Sequence, residues 1–167
     1  LAMQYIRYEA CTDAGRVEEE LSRLESEGFL TARQVRAVNR AWIASFFQTE
    51  LGRRLQTGID VLREFKFSLL ADGEMLQEEL AGEKLLLQGV VDCCLTEGEG
   101  LTVLDFKTDR VRPGGEAAAA ARYAVQVQTY GRALSRIFGR PVKALLLYFF
   151  QTGGLIRIPA EAGEEDG

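Results

Sequence analysis

Two apolar segments that each carry an acid constrain the fold of this chain most strongly. Residues 85–111 read LLLQGVVDCCLTEGEGLTVLDFKTDRV, two runs rich in Leu and Val around a glycine-containing turn. This pattern predicts a β-hairpin whose strands lie in the core of a sheet. Asp92 and Asp105 interrupt the two runs, and Lys107 follows on the second. Because charged side chains are costly in core strands, the three together indicate a functional site.

The rest of the chain predicts an α/β (α+β) domain in which helices flank one sheet. Residues 1–57 are expected to form an N-terminal helical segment, 58–160 the main domain, and the acidic residues 161–167 a disordered tail. In the first segment, helices are predicted over 2–9, from Thr12 or Asp13 to Gly28, over 32–50 and over 50–55.

The order of the later segments predicts the topology of the sheet. Strands are expected over 61–70, 84–96, 101–109 and 142–152, with a short one over 155–158. A single alanine-rich helix over 116–139 separates the third strand from the fourth. The first three strands should therefore form an antiparallel meander, and the helix should return the fourth strand to the sheet. The result is a mixed sheet of four to five strands covered by helices.

Composition excludes several kinds of site. The chain has 167 residues and no histidine, which excludes Ser-His-Asp, Cys-His and His-rich zinc chemistry. Cys93 and Cys94 are neighbours on one strand and point to opposite faces, so with Cys11 they are expected to be reduced core thiols. No apolar run approaches the ~18 residues that a membrane span needs, and no signal peptide is visible. Because the chain opens with Leu1 inside a predicted helix, we expect a fragment of a longer polypeptide.

The hairpin should bring the two acids together. Strict alternation puts four residues on one side of the first strand and three on one side of the second: Gln88, Val90, Asp92 and Cys94, then Val103, Asp105 and Lys107. If these sides coincide, Asp92 and Asp105 repel each other unless a cation lies between them. A few oxygen ligands suit Mg²⁺, which keeps and activates its own water, and Lys107 can balance charge on a phosphate. The alternative is structural, because each acid alone fits a turn or half of a salt bridge.

The same residues belong to an ordered set of motifs. GVVD at 89–92 is followed by DFKTDRV at 105–111 and by Gln126-Val-Gln-Thr-Tyr130 on the next predicted helix. This set resembles the core of PD-(D/E)XK nucleases, in the RecB-type form of bacterial recombination enzymes. The predicted helix–β–β–β–helix–β order matches that core as well. The resemblance covers most of the chain and is greatest to the C-terminal nuclease domain of the AddA subunits of AddAB-type helicase–nucleases.

The resemblance implies a metal site and a catalytic lysine. Asp92 and Asp105 are implied as metal ligands, with the backbone carbonyl of Phe106 as a third. The implied ion is Mg²⁺, for which Mn²⁺ or Ca²⁺ can substitute in binding. Lys107 is implied as the catalytic lysine.

Four other residues take implied roles around this site. Gln126 and Tyr130, one helical turn apart, are implied to line the DNA or to orient the lysine, whereas an ordinary amphipathic helix is the alternative. Glu64 matches an acid found in many relatives, and an exposed ion pair is the alternative. Tyr123 is a further candidate.

The resemblance also implies an activity and its setting. The implied function is a Mg-dependent deoxyribonuclease (exonuclease) domain that hydrolyses single-stranded DNA during double-strand-break processing for recombinational repair. The implied partners are a helicase region on the same polypeptide and an AddB-type partner subunit, in the bacterial cytoplasm and without a membrane. The net charge of −5 agrees, because a tethered nuclease needs little DNA affinity of its own. Alternatives are a non-catalytic DNA-guiding module, a freestanding resolvase or restriction-type nuclease, and a protein-interaction domain.

One feature departs from the pattern of the family. RecB-type relatives carry an upstream histidine as a further metal ligand, and the opening LAMQYI resembles the segment that follows this histidine. We therefore expect the fragment by itself to fold but to cleave DNA weakly or not at all.

Overall fold

The computed structural model describes residues 1–75 and 80–160, and the chain forms two compact units. The first unit, Leu1–Ile59, is helical, and the second begins at Asp60 and contains a five-stranded sheet with flanking helices. The predicted acidic tail, 161–167, lies outside the described residues. In the part of the chain that is described, no helix has the length and apolar character that a membrane crossing requires.

The first unit is built from short helices. They are α1 (Ala2–Tyr5), α2 (Ala14–Ser26), α3 (Ala32–Ala37), α4 (Arg40–Gln48) and α5 (Glu50–Gln56), with a 3₁₀ turn at Tyr8–Ala10. The predicted start of α2 is confirmed, because the side chain of Asp13 accepts a hydrogen bond from the Arg16 amide at 2.9 Å. The short helix predicted over 50–55 is confirmed as α5.

The single helix predicted over 32–50 is wrong. The backbone is extended at Val38, and the Asn39 side chain starts α4 by accepting a hydrogen bond from the Trp42 amide at 3.1 Å. Thr49 starts α5 in the same way, accepting from the Gly52 amide at 3.0 Å. Asn and Thr side chains compete for backbone amides, so each begins a new helix rather than continuing the previous one. The helix predicted over 2–9 is likewise divided, at an extended Ile6.

The second unit confirms the predicted mixed sheet. Its strands are β1 (Val61–Asp72), β2 (Lys84–Glu97), β3 (Gly100–Lys107), β4 (Val142–Phe149) and β5 (Gly154–Ile158), which lie side by side in that order. Strand β3 pairs with β4 in parallel, and the other neighbours are antiparallel. The predicted hairpin between β2 and β3 is tight, because Glu97 pairs with Gly100 across two residues. Gly98 has a φ of 59° there, which glycine adopts without strain.

The crossover from β3 to β4 runs through two helices rather than the single one predicted over 116–139. They are α6 (Glu116–Ala121) and α7 (Ala124–Phe138). The break lies at Tyr123, whose amide bonds back only three residues, to the Ala120 carbonyl at 2.9 Å. The contacts of the Tyr123 side chain, described below, account for the break. Helix α7 ends at Gly139, which has a φ of 63°.

Helix α7 packs directly on the sheet. Gly131 permits this, since a Cβ there would lie 2.8 Å from Cδ2 of Leu145 on β4. The core beneath the helix includes Val127 and Leu134, both fully buried, and burial of each such side chain contributes about 1.5–3 kcal/mol. All three cysteines lie in described residues and are buried thiols, as expected.

Candidate active site

Acids of three neighbouring strands lie at one level of the sheet. In the antiparallel pairing of β1 with β2, Glu64 lies opposite Asp92, between the pairs Arg63–Cys93 and Phe65–Val91. The last pair of β2 with β3 is Cys93–Leu104, and one further step in the same register places Asp92 opposite Asp105. The three carboxylates therefore form a row across the strands, with Asp92 in the middle.

The backbone is irregular at this level. Glu64 has a φ of 49°, a left-handed conformation that costs a residue other than glycine about 1–3 kcal/mol. Val91 and Cys94, three residues apart on β2, both lie in the core beneath α7, whereas Val90 is 40% exposed. The predicted strict alternation that grouped Gln88 and Val90 with Cys94 is therefore wrong. The reason is the irregular step at Glu64 and Asp92, where the ladder omits one pair.

Asp92 lies in surroundings that disfavour its negative charge. Burial is the largest influence and raises the pKa of the Asp92 carboxyl to about 6, and the charges of Asp105 and Glu64 raise it too. Opposing this, the Phe106 amide donates a hydrogen bond to Oδ2 of Asp92 at 2.7 Å, and Lys107 lies near. The burial of the Asp92 carboxylate and its repulsion by the two neighbouring acids are therefore incompletely compensated by the protein.

Lys107 is the cation of the cluster. Its Nζ lies 2.6 Å from Oδ2 of Asp105, and both side chains are largely buried, 12% and 14% exposed. The same Nζ lies 3.8 Å from the ring centre of Tyr123, a cation–π contact. A carboxylate and an aromatic ring thus hold the ammonium group at a fixed position beside Asp92.

Tyr123 is itself held in place. Its hydroxyl donates a hydrogen bond to Oδ1 of Asp109 at 2.6 Å, a contact that raises the pKa of Tyr123. Asp109 follows Lys107 by two residues and was not among the predicted site residues. The signal that could have found it is its place in the DFKTDRV motif, in the loop that continues β3.

Gln126 and Tyr130 contact each other, as their spacing of one helical turn suggests. The Gln126 amide donates to the Tyr130 hydroxyl at 3.1 Å, and the Tyr130 ring packs edge-on against Phe67 of β1 with 5.3 Å between ring centres. The ring that lies over Lys107 is that of Tyr123. Whether Gln126 and Tyr130 line the DNA or orient the lysine stays a prediction.

The Glu64 carboxylate lies in the row rather than in an exposed ion pair. Its side chain is half-buried, and among the described residues no salt bridge to it is formed. Its charge acts on Asp92, whose pKa it helps to raise. The arrangement therefore favours a role for Glu64 in the candidate site over the alternative role in an exposed ion pair.

The donor set of the cluster fits a hydrated divalent cation. Within the described residues, no group of three or more His, Cys, Asp or Glu side chains could hold a metal ion by itself. Asp92 and Asp105 supply hard oxygen ligands, and Mg²⁺ commonly binds through one or two carboxylates while it keeps several waters. A cation beside Asp92 would also offset the burial and the neighbouring charges that raise the pKa of this carboxyl. The residues present therefore fit such an ion.

Comparisons with known proteins identify the family of the chain. Residues 2–165 match the PD-(D/E)XK nuclease superfamily. The chain is 39% identical over 160 residues to an ATP-dependent helicase/nuclease subunit of Pelotomaculum thermopropionicum, covering 94% of this chain and 13% of that protein. It is 39% identical over 140 residues to the protein of the same name from Desulforudis audaxviator, covering 82% and 11%. Against that of Clostridium botulinum (strain 657 / Type Ba4) it is 34% identical over 163 residues, covering 95% and 13%.

The matches extend across nearly the whole chain but only a small part of each relative. The chain spans between 11% and 13% of the length of these three relatives. The match to the superfamily includes both strands of the hairpin and both crossover helices. The resemblance read from the GVVD and DFKTD motifs is thereby confirmed, and this chain belongs to the PD-(D/E)XK nuclease superfamily.

Proposed function

We propose that this chain is the nuclease domain of a bacterial helicase–nuclease and hydrolyses phosphodiester bonds of single-stranded DNA. The observation that carries the proposal is the convergence of Asp92, Asp105 and Lys107 in one half-buried cluster of a PD-(D/E)XK domain. Relatives that match nearly all of the chain are named as subunits of an ATP-dependent helicase/nuclease. An intact acid–acid–lysine set favours a catalytic domain over a module that only guides DNA.

The proposed chemistry assigns a task to each side chain. Asp92, Asp105 and the Phe106 carbonyl would hold Mg²⁺, with Mn²⁺ or Ca²⁺ able to replace it in binding; a bound ion would supply Lewis acidity and an acidified water. Lys107 would donate hydrogen bonds to a phosphate oxygen as negative charge develops on it. In the overall step, water forms a new bond to phosphorus, the bond to the 3′ oxygen breaks, and that oxygen takes up a proton.

The proposed setting accounts for the acidity of the chain. The chain carries 25 acidic and 20 basic residues, so it is not a strong general binder of a polyanion. A helicase region on the same polypeptide would deliver the strand at high effective concentration, and an AddB-type subunit would complete the enzyme. We propose that this enzyme acts as an exonuclease in the bacterial cytoplasm, in the processing of double-strand breaks.

Replacement of Asp105 tests the proposed function. In the full polypeptide that carries this chain, Asp105→Asn should reduce cleavage of an end-labelled single strand at least tenfold, because a charged metal ligand is lost. ATP-driven unwinding, measured with a fluorescent duplex, should persist. The matched control is Asp72→Asn, which neutralises a half-exposed strand aspartate paired with Lys84 and should leave both activities unchanged. Joint loss of cleavage and unwinding in Asp105→Asn would show a structural role and contradict the proposal.

Removal of the Tyr123 ring should impair the positioning of Lys107. We expect Tyr123→Ala to reduce the cleavage rate roughly tenfold, since a cation–π contact at a partly desolvated site is worth about 1–2 kcal/mol. Tyr123→Phe keeps the ring and loses only the hydrogen bond to Asp109, so its loss should be smaller. The split between KM and kcat distinguishes positioning from folding, because a displaced lysine should lower kcat and leave KM nearly unchanged. Equal losses of kcat in the two variants would contradict this role.

A further inference from the structure

An open cleft lined by three arginines lies next to the candidate active site. The cleft has a volume of about 360 Å³. It is lined by three arginines and four small or apolar residues, namely Arg110, Arg112, Arg122, Val111, Gly115, Ala118 and Ala119. No lining residue is acidic, and the arginine side chains are exposed. In a chain whose net charge is −5, this is a local concentration of positive charge.

The loop that carries two of the arginines is fixed by its own contacts. The Val111 side chain is buried, and its amide donates to the side-chain oxygen of Gln151 at 3.0 Å. A turn follows, closed by a hydrogen bond of 2.8 Å from the Gly115 amide to the Arg112 carbonyl. Because Val111 points inward, Arg110 and Arg112 on either side are presented to solvent. Among the described residues, neither Arg110 nor Arg112 has an ion-pair partner.

The third arginine connects the cleft to the catalytic cluster. Arg122 precedes Tyr123, and its guanidinium carbon lies 5.9 Å from the centre of that ring. It also forms a long, exposed ion pair of 3.8 Å with Asp109, of the weak kind that another anion can replace. Since Tyr123 contacts Lys107 directly, a phosphate in the cleft would lie within a few side chains of the proposed cleavage site.

We propose that this arginine cleft binds backbone phosphates of the single strand next to the bond that is cut. The inference rests on the proposed function, which makes DNA the substrate of the adjoining cluster. Guanidinium groups bind phosphate oxygens through paired hydrogen bonds, and the small side chains in the lining leave room for a strand to approach. The sugar–phosphate backbone is recognised, so the cleft adds affinity and orientation without reading base sequence.

Binding of a fluorescent oligo(dT) to the 167-residue chain tests the cleft. The measurement is fluorescence anisotropy in EDTA, where metal-dependent cleavage cannot occur, over a series of salt concentrations. We compare wild type with Arg110→Gln/Arg112→Gln/Arg122→Gln. The control is Arg136→Gln/Arg140→Gln/Arg157→Gln, which removes the same charge from exposed positions of the same unit. Thermal unfolding of each variant verifies that it is folded.

The expected result separates a local site from net charge. The cleft variant should bind at least tenfold more weakly. The slope of its log binding constant against log salt concentration should be less steep by about 2, at about 0.7 for each of the three phosphate contacts on a single strand. The control variant should remain within about twofold of wild type. Equal weakening in both triple variants, or no measurable binding by wild type at about 50 mM salt, would overturn the inference.

A competition experiment tests whether the cleft binds an acidic polypeptide rather than DNA. Oligoglutamate of equal charge should displace the DNA from wild type poorly; equal displacement would indicate an acidic polypeptide as the occupant and overturn the inference. The outcomes remain separable from those of the proposed function. Binding in EDTA requires no catalysis, whereas the proposed function is tested by the effects of Asp105→Asn on cleavage and unwinding.

Discussion

Replacement of Lys107 with alanine is expected to reduce DNA cleavage by roughly a hundredfold to ten-thousandfold, the range typical of a positioned catalytic group. The ammonium group lies 2.6 Å from Oδ2 of Asp105 and 3.8 Å from the Tyr123 ring centre, and alanine removes the cation from this position. The measurement is single-turnover cleavage by the full polypeptide at saturating Mg²⁺, with unwinding followed in parallel.

Two further variants separate charge from position. Lys107→Arg keeps the positive charge but replaces a compact ammonium by a planar group, so most of the activity should still be lost. Lys66→Ala removes an exposed lysine of β1 and should leave cleavage unchanged. Cleavage by Lys107→Ala at more than a tenth of the wild-type rate would contradict a catalytic role for Lys107.

Asp92→Asn is expected to stabilise the metal-free chain at neutral pH by roughly 2 kcal/mol. The folded pKa of Asp92 is about 6, against about 3.9 in an unfolded chain. The folded state therefore binds the proton more tightly, and the wild type loses stability as pH rises from about 4 to about 6. Two pKa units correspond to about 2.7 kcal/mol, reduced somewhat because the carboxyl is partly exposed. The asparagine oxygen can still accept the hydrogen bond from the Phe106 amide.

Urea unfolding in EDTA at pH 4 and pH 7.5 measures this difference. The two proteins should be about equally stable at the acid pH, and the variant should be more stable at the higher one. Asp72→Asn is the control, because pairing with Lys84 lowers the pKa of Asp72 and its replacement should bring no gain at pH 7.5. Added Mg²⁺ should raise the melting temperature of wild type more than that of Asp92→Asn. Strong destabilisation by Asp92→Asn at pH 7.5 would instead mark Asp92 as a hydrogen-bonded structural acid.

The parts of the fold that depend on local patterns could be predicted from the sequence. The strands, the two-residue turn at Gly98 and the parallel return of β4 follow from apolar runs, glycines and one helical connection. The break at Tyr123 could not be predicted this way. The alanine-rich run around it favours a continuous helix, and the opposing influence is a hydrogen bond to Asp109, outside the helical segment.

Much of the candidate site could also be named from its motifs, but its geometry could not. Motif spacing identified Asp92, Asp105 and Lys107, whereas the left-handed backbone of Glu64 violates the alternation on which strand reasoning depends. The arginine cleft was missed for a similar reason. Its members come from a loop and from the end of α6, and only the turn closed by Gly115 places them together.

The tight hairpin between β2 and β3 has a consequence for the order of folding. Five residue pairs lie between its turn and the level of Asp92 and Asp105, from Glu97–Gly100 to Cys93–Leu104. A hairpin of short sequence separation can close early, from the turn outward, whereas β3 and β4 must wait for a long crossover. Asp92 and Asp105 therefore come together at the end of hairpin closure. Tyr123, whose ring lies over Lys107, packs later, together with the crossover. The acids can therefore meet before the crossover helices and β4, which supply much of the core of this unit, have packed on the sheet.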